Sequence, residues 1–186
     1  MIYALIDKQG VLSRGLTLEK ISKKIEKLNI PIAQYRNKLG SLSEQIDDLL
    51  LIKKHYSGRL IINDKIELIE YVDGLHLGQE DIQKYDEDLS LAVERVRVEI
   101  GSKLLGLSTH NREEILEANG LDLDYIGLGA YRGTQTKSDA KVLGQEAIAL
   151  AKLSSHPVGL IGGVKLSDSF SKEITYRVIG SDLYED

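Results

Sequence analysis

The feature that most constrains the fold is an alternation, repeated from end to end, of short apolar runs with amphipathic stretches. Runs that are apolar at nearly every position are typical of parallel strands covered on both faces. Apolar residues at helical spacing between them predict the connecting helices. The pattern indicates an α/β fold. The eight runs lie at 2–6, 31–36, within 59–64, within 73–81, and at 103–108, 125–129, 157–163 and 176–180.

Eight strands alternating with helices predict a (β/α)₈ TIM barrel in a single domain over residues 1–186. The chain is short for that fold, whose usual range begins near ~200 residues. We therefore expect truncated or missing C-terminal helices: 167–174 has room for two turns at most, and little sequence follows the last strand. An open doubly wound sheet is the alternative, but it needs only about six strands.

A barrel without a full final helix would leave strands eight and one poorly covered. We therefore expect a second subunit to shield that seam, which makes the protein a possible homodimer.

Capping residues predict where several helices begin. Thr17, Ser41 and Asn111 each precede a helical stretch, and the last two have Glu three residues later, the spacing of a capping box. For the helix after Ser41 we expect an inward face made of Leu42, Ile46, Leu49 and Leu50.

Composition excludes several classes of function. The 24 Lys and Arg residues against 29 Asp and Glu give a net charge of −5, so the surface as a whole does not attract nucleic acid or anionic lipid. No cysteine is present, which excludes disulfides and zinc–thiolate sites. No apolar stretch is long enough to span a membrane, and we expect a soluble, cytoplasmic protein.

Acidic and amide side chains follow the third and fourth strands. Asn63 and Asp64 end one strand, and Asp81 lies just after the next. Ligands of parallel α/β folds bind at the carboxyl ends of the strands, so these groups should converge there. Two carboxylates and an amide suit Mg²⁺, which leaves its other positions to water and phosphate oxygens. Alternatively, Asn63 and Asp64 only cap the following helix.

Cationic side chains at the second strand predict an anion site on the same rim. Strand alternation places Gln34, Arg36 and Lys38 on one side, where they could grip a diphosphate. A buried Arg needs an anionic partner, so the structural alternative is an Arg36–Asp64 ion pair.

Hydroxyl groups and glycines at the later strands extend this predicted rim. Thr134, Thr136 and Lys137 follow strand six, and Gly162–Gly163 ends strand seven, where barrel enzymes often bind phosphate. Ser108 ends strand five and either contacts ligand or caps a helix. His110 is more often a cap than a base at such a position, and we expect His76 to be packed and hydrogen-bonded.

Six ordered motifs resemble the thiamine-phosphate synthase (thiamine-phosphate pyrophosphorylase) family. They span nearly the whole chain and fall at the predicted strand ends. They are QYRNK at 34–38, IINDK at 61–65, DGLHLGQED at 73–81, GLSTH at 106–110, YIGLG at 125–129 followed by TQTK at 134–137, and GLIGG at 159–163.

The resemblance implies a Mg²⁺-dependent transferase that joins a pyrimidine diphosphate to a thiazole phosphate through a pyrimidine carbocation. It implies that Asp64 and Asp81 hold Mg²⁺, and that Arg36, Lys38 and Lys137 also act in catalysis. The implied ligands of the pyrimidine diphosphate are Gln34, Arg36, Lys38, Asn63, Lys137 and, on the pyrimidine side, Ser108. Those of the thiazole phosphate are Thr134, Thr136, Gly163, Gly180 and Ser181.

One departure and two alternatives remain open. Residues 130–133, Ala-Tyr-Arg-Gly, replace a segment that the family usually makes rich in Pro and aromatic residues, and Arg132 adds a cation there. A thiazole tautomerase-like isomerase with His110 as base would share the fold, but that branch generally lacks the segment completed here by Gln79 and Asp81. A non-catalytic binding protein for thiamine phosphate or another phosphate ligand is the third hypothesis.

Overall fold

Eight parallel strands close into a barrel, each hydrogen-bonded to the next and the last to the first. The computed structural model describes residues 1–133 and 142–185. Every predicted strand is present, and the (β/α)₈ prediction is confirmed. The strands are β1 (Ile2–Asp7), β2 (Ile32–Arg36), β3 (Arg59–Asn63), β4 (Gly74–Leu77), β5 (Leu104–Thr109), β6 (Tyr125–Leu128), β7 (Val158–Leu160) and β8 (Tyr176–Ile179).

Helices of very different length cover the outside of the barrel. Short 3-10 turns stand at Ile66–Tyr71 and Ser181–Tyr184, and 161–175 contains no α-helix, as the short chain predicts. No helix in the described ranges could span a membrane. The single-domain organisation stays a prediction. The α-helices that the structure describes are α1 (Lys8–Leu12), α2 (Leu18–Lys27), α3 (Leu42–His55), α4 (Gln79–Ile82), α5 (Leu89–Ile100), α6 (Arg112–Ala118) and α7 (Glu146–Ala151).

The predicted caps form. The side chain of Thr17 accepts a hydrogen bond from the N–H of Lys20 at 3.1 Å, and that of Ser41 accepts one from Glu44 at 3.2 Å. Asn111 caps α6 in the same way. These bonds satisfy backbone donors that the first helical turn leaves without a partner.

Aromatic side chains fill the inside of the barrel. Tyr3 of β1, Tyr125 of β6 and Tyr176 of β8 meet edge to face, with ring centroids 5.7 to 6.0 Å apart. Gly106 of β5 faces them, and a Cβ there would lie 2.2 Å from Cζ of Tyr125. The ring of Tyr125 therefore requires glycine at position 106.

The inward face of helix α3 differs in part from the face that its sequence predicts. Leu42 and Leu50 are 44% and 54% exposed, whereas Gln45 and Asp48 are buried together with Leu49. The predicted inward face is thus wrong for Leu42 and Leu50, and it is confirmed for Leu49.

Partners from other elements explain how a carboxylate comes to be buried on α3. Asp48 accepts hydrogen bonds from Nζ of Lys8 at 2.6 Å and from the hydroxyl of Tyr35. A charged group can be buried when its hydrogen bonds are supplied in this way.

The seam between β8 and β1 is covered from within the chain. The 3-10 turn after β8 buries Leu183 and Tyr184. The Tyr184 hydroxyl donates to the carbonyl of Leu5 at 2.6 Å and accepts from the N–H of Asp7 at 2.8 Å. The physical reason for expecting a second subunit here is therefore weaker, and homodimerisation stays a prediction.

Candidate active site

The carboxyl ends of the strands form a mouth that carries most of the predicted site residues. Asn63, Asp64 and Asp81 meet at β3 and β4, while Gln34 and Arg36 point inward from the neighbouring β2. In barrel enzymes this rim holds the active site.

Asp64 and Asp81 form a close carboxylate pair. Asp64 has a left-handed backbone with φ of 63°, and its N–H donates to the carbonyl of His76 at 2.9 Å. Asn63 donates to its carboxylate. Burial raises the pKa of Asp64, and the neighbouring Asp81 raises it further by charge repulsion and by a hydrogen bond to the protonated form.

The carboxylate oxygens of this acidic pair are ligands that suit Mg²⁺. Nζ of Lys84 lies 2.5 Å from Oδ1 of Asp81, but that lysine is 72% exposed and can move away. Among the residues described, no three His, Cys, Asp or Glu side chains gather where they could hold a metal. Two carboxylates fit a cation that takes its other ligands from water and phosphate. A bound divalent cation would also relieve the repulsion that raises the pKa of Asp64.

Arg36 has a carboxylate partner, and it is Asp7 at the end of β1. The guanidinium contacts the carboxylate directly, and the two side chains are 14% and 10% exposed. Asp7 also accepts from the N–H of Gly10 at 2.8 Å, which caps α1. The predicted alternative partner, Asp64, is therefore wrong, although a structural ion pair does exist. Lys38 lies beyond the strand and is exposed.

Ser108 is held by groups from β4 and α4. Its Oγ lies 3.0 Å from Nε2 of His76, and its carbonyl accepts from Nε2 of Gln79 at 2.6 Å. His76 is buried and hydrogen-bonded, as predicted. His110 is bound by Glu114, whose Oε2 lies 3.0 Å from Nδ1 and 2.8 Å from the His110 N–H. That arrangement is a helix cap.

The loops after β6 and β7 are tied together by Arg132. Its guanidinium makes two hydrogen bonds to Asp168, at 2.6 and 3.0 Å, and one to the carbonyl of Gly163 at 2.7 Å. It also lies over the ring of Tyr131, 4.6 Å from the centroid. Hydrogen bonding to Arg132 lowers the pKa of Asp168. The extra cation noted in the sequence is thus neutralised by a carboxylate.

The remaining predicted residues divide into two groups. Gly163 lies in the left-handed region with φ of 61°, and Gly180 and Ser181 follow β8 at the same end of the barrel. Thr134, Thr136 and Lys137 lie outside the described residues.

Comparison with known proteins places the chain in a family. The sequence profile described as thiamine monophosphate synthase matches residues 2–171. The chain belongs to the thiamine monophosphate synthase family. A thiamine-phosphate synthase of Methanosarcina mazei is 38% identical over 143 residues, which is 74% of this chain and 55% of that protein. One of Persephonella marina is 38% identical over 140 residues, 72% of this chain and 63% of that protein.

These matches span between half and two thirds of the two relatives' lengths. Among solved structures, thiamine phosphate pyrophosphorylase from Pyrococcus furiosus superposes with a TM-score of 0.76 at 21% identity, covering 97% of this chain and 85% of that one. At that identity the superposition shows the shared barrel fold. Membership of the thiamine monophosphate synthase family confirms the resemblance seen in the six motifs.

Sequence reasoning missed three residues that contact the candidate site residues or line the barrel beneath them. Asp7 binds Arg36, and the hydroxyls of Tyr3 and Tyr125 lie 2.9 Å apart inside the barrel. The sequence did contain a signal for these residues. An acidic residue ends β1, as expected of a partner for Arg36. Tyrosines stand at inward positions of β1 and β6, and Gly106 of β5 leaves space for the ring of Tyr125.

Proposed function

We propose that this protein is a Mg²⁺-dependent thiamine-phosphate synthase. It would condense a hydroxymethylpyrimidine diphosphate with a thiazole phosphate to give thiamine phosphate and diphosphate. The observation that carries the proposal is the carboxylate pair of Asp64 and Asp81 on the same barrel mouth as Arg36, in a chain of this family. A cytoplasmic location stays a prediction.

The proposed reaction needs stabilisation of negative charge and little proton transfer. The C–O bond to the diphosphate breaks, and both electrons leave with the diphosphate oxygen. The lone pair of the thiazole ring nitrogen then forms a C–N bond with the pyrimidine carbocation. Donors already in place stabilise the leaving oxygen without reorganising.

The residues divide between the two substrates. Asp64 and Asp81 would hold Mg²⁺, which when bound supplies positive charge to the diphosphate oxygens. Arg36, kept in position by Asp7, would donate to the same group. The other proposed ligands of the pyrimidine diphosphate are Gln34, Lys38, Asn63, Ser108 and Lys137, and those of the thiazole phosphate are Thr134, Thr136, Gly163, Gly180 and Ser181.

The test is diphosphate release from purified protein with both substrates and Mg²⁺. We expect release that needs each substrate and stops with a chelator. Asp81→Asn should abolish Mg²⁺-dependent turnover while the circular dichroism spectrum stays unchanged. Asp47→Asn, at an exposed aspartate of α3, is the matched control.

Two other outcomes would identify the alternatives. Deuterium exchange into the thiazole phosphate without any pyrimidine partner would point to an isomerase, for which the Glu114-bound His110 offers little support. Calorimetric binding of thiamine phosphate without turnover would point to a non-catalytic binding protein. Either result would overturn the synthase proposal.

A further inference from the structure

A chain of hydrogen bonds crosses the inside of the barrel and joins two proposed substrate ligands. Gln34 Nε2 donates to the hydroxyl of Tyr3 at 3.1 Å, and that hydroxyl lies 2.9 Å from the hydroxyl of Tyr125. The Tyr125 hydroxyl lies 3.1 Å from Nδ1 of His76, and Nε2 of His76 lies 3.0 Å from Oγ of Ser108. Five strands thus contribute one side chain each.

The direction of the chain follows from its Gln34 end. An amide N–H can only donate, so the Tyr3 oxygen accepts it and the single Tyr3 proton must go elsewhere. If Tyr125 donated to Tyr3 as well as Gln34, the hydroxyl proton of Tyr3 would be buried with no acceptor among these five side chains, which is costly. Tyr3 therefore donates to Tyr125, and Tyr125 donates to Nδ1 of His76.

Both phenols remain able to donate at neutral pH. Burial raises the pKa of Tyr3 and that of Tyr125 well above the usual value for a phenol. Both hydroxyls therefore keep their protons, as the chain requires.

We propose that this series of hydrogen bonds holds His76 in its Nε2–H tautomer and so leaves the Ser108 hydroxyl as a hydrogen-bond donor to the ligand. Nε2–H donates to Oγ of Ser108, whose own proton is then directed elsewhere. Tyr3 and Tyr125 are positioning residues in this arrangement, because they act on the ligand only through His76 and Ser108.

The consequence is selection of a ligand by hydrogen-bond polarity. This consequence rests on the proposed function: the ligand atom that faces Ser108 must be a hydrogen-bond acceptor, such as a pyrimidine ring nitrogen. The opposite amide orientation at Gln34 would reverse every bond and make Ser108 an acceptor, so the two ends of the chain are coupled.

The first test is the tautomer of His76 by ¹⁵N NMR of histidine-labelled protein without substrates. His76→Asn assigns the signal among the four histidines. We expect the Nε2–H tautomer in the unchanged protein. The Nδ1–H tautomer or a doubly protonated ring would overturn the inference. This measurement does not depend on turnover, so it stands even if the proposed function fails.

The second test compares two tyrosines of the same ring cluster. Tyr125→Phe breaks the chain and should raise KM for the pyrimidine diphosphate about tenfold, while KM for the thiazole phosphate stays unchanged. Tyr176→Phe is the matched control, because Tyr176 packs edge to face against the other two rings but its hydroxyl is not part of the chain. Its kinetics should equal those of the unchanged protein.

Equal effects of the two phenylalanine variants would overturn the positioning role, since a merely structural contribution would affect both. A rise in both KM values for Tyr125→Phe would do the same. If Tyr125→Phe does not fold, the tautomer of the unchanged protein still decides the inference.

Discussion

The two halves of the barrel mouth are built from different groups. The β1–β5 half presents charged side chains held by partners, such as Arg36 on Asp7 and the acidic pair Asp64 and Asp81. The β6–β8 half presents glycines and loop backbone, clamped by Arg132. The first half can supply charge to a polyanionic group. In the proposed function, the second half would offer backbone that a ligand can approach closely.

The largest effect is expected at Arg36. Arg36→Gln leaves the carboxylate of Asp7 largely buried without its partner. Breaking a buried pair in this way lowers the free energy of unfolding by roughly 3 to 5 kcal/mol. Because this pair is slightly exposed, we expect a loss of about 3 kcal/mol. Urea unfolding measures it. Turnover should fall about a hundredfold or more, as for loss of one transition-state donor.

A double variant separates stability from chemistry at this pair. Arg36→Gln combined with Asp7→Asn removes both charges and keeps a cap for α1, since Asn caps about as well as Asp. We expect part of the stability to return and turnover to stay low. Full recovery of turnover would remove Arg36 from the proposed machinery.

The next effect concerns Asp64 and depends on pH. Because the folded protein raises the pKa of Asp64, folding stability falls as pH rises through the ordinary carboxyl range toward that raised value, and stays lower at neutral pH. Asp64→Asn removes this penalty, and Asn tolerates the left-handed backbone at this position. With a chelator present, the variant should melt higher than the unchanged protein at pH 7 and equally at acidic pH.

Magnesium should reverse that order. Added Mg²⁺ should raise the melting temperature of the unchanged protein and of Asp47→Asn but not that of Asp64→Asn. A variant that gains as much from Mg²⁺ as the unchanged protein would show that the metal binds elsewhere.

A smaller effect on the free energy of unfolding is expected in the β6–β8 half of the mouth. Gly163→Ala must keep a φ of 61°, and its Cβ would lie 2.8 Å from Cβ of Arg132. Gly144→Ala is the control, because Gly144 has a φ of 54° and a Cβ there would meet no heavy atom within 4 Å. Left-handed backbone costs an L residue roughly 1 to 2 kcal/mol, so the control should lose about 1 kcal/mol and Gly163→Ala about 1 kcal/mol more. Equal losses in chemical denaturation would mean that the contact with Arg132 relaxes freely.

The smallest effect is expected at Arg132 itself. Its side chain is 42% exposed, and exposed ion pairs contribute about 0.2 to 1 kcal/mol. Arg132→Ala should therefore lose about 1 kcal/mol or less in the same denaturation experiment. A loss as large as that of Arg36→Gln would erase the proposed contrast between the two halves.

The sequence was sufficient for the strands and for part of the mouth. Continuous apolar runs predicted all eight strands, and strand-end polar residues predicted the approach of Asp64 and Asp81. Both signals are local, because they depend on a run and the residue that ends it.

What could not be predicted depends on partners distant in the chain. Asp48 is buried because Lys8 and Tyr35 reach it, although the leucines beside it on α3 fit the helical period better. Arg36 takes Asp7, 29 residues before it, and not Asp64, which lies about as far after it, so separation along the chain could not decide between the two carboxylates. Periodicity reports the apolar content of a face and contains no information about such pairings.

The fit between Gly106 and Tyr125 has a consequence for how this barrel can evolve. The two positions share one volume, since a methyl group at 106 would overlap the phenol ring. A side chain at position 106 should be tolerated poorly in a mutational scan, and a smaller residue at 125 alone would not make room for it, because the new Cβ would also lie 2.6 Å from Nδ1 of His76. Selection therefore acts on positions 76, 106 and 125 together, and these three sites should covary among descendants of this sequence.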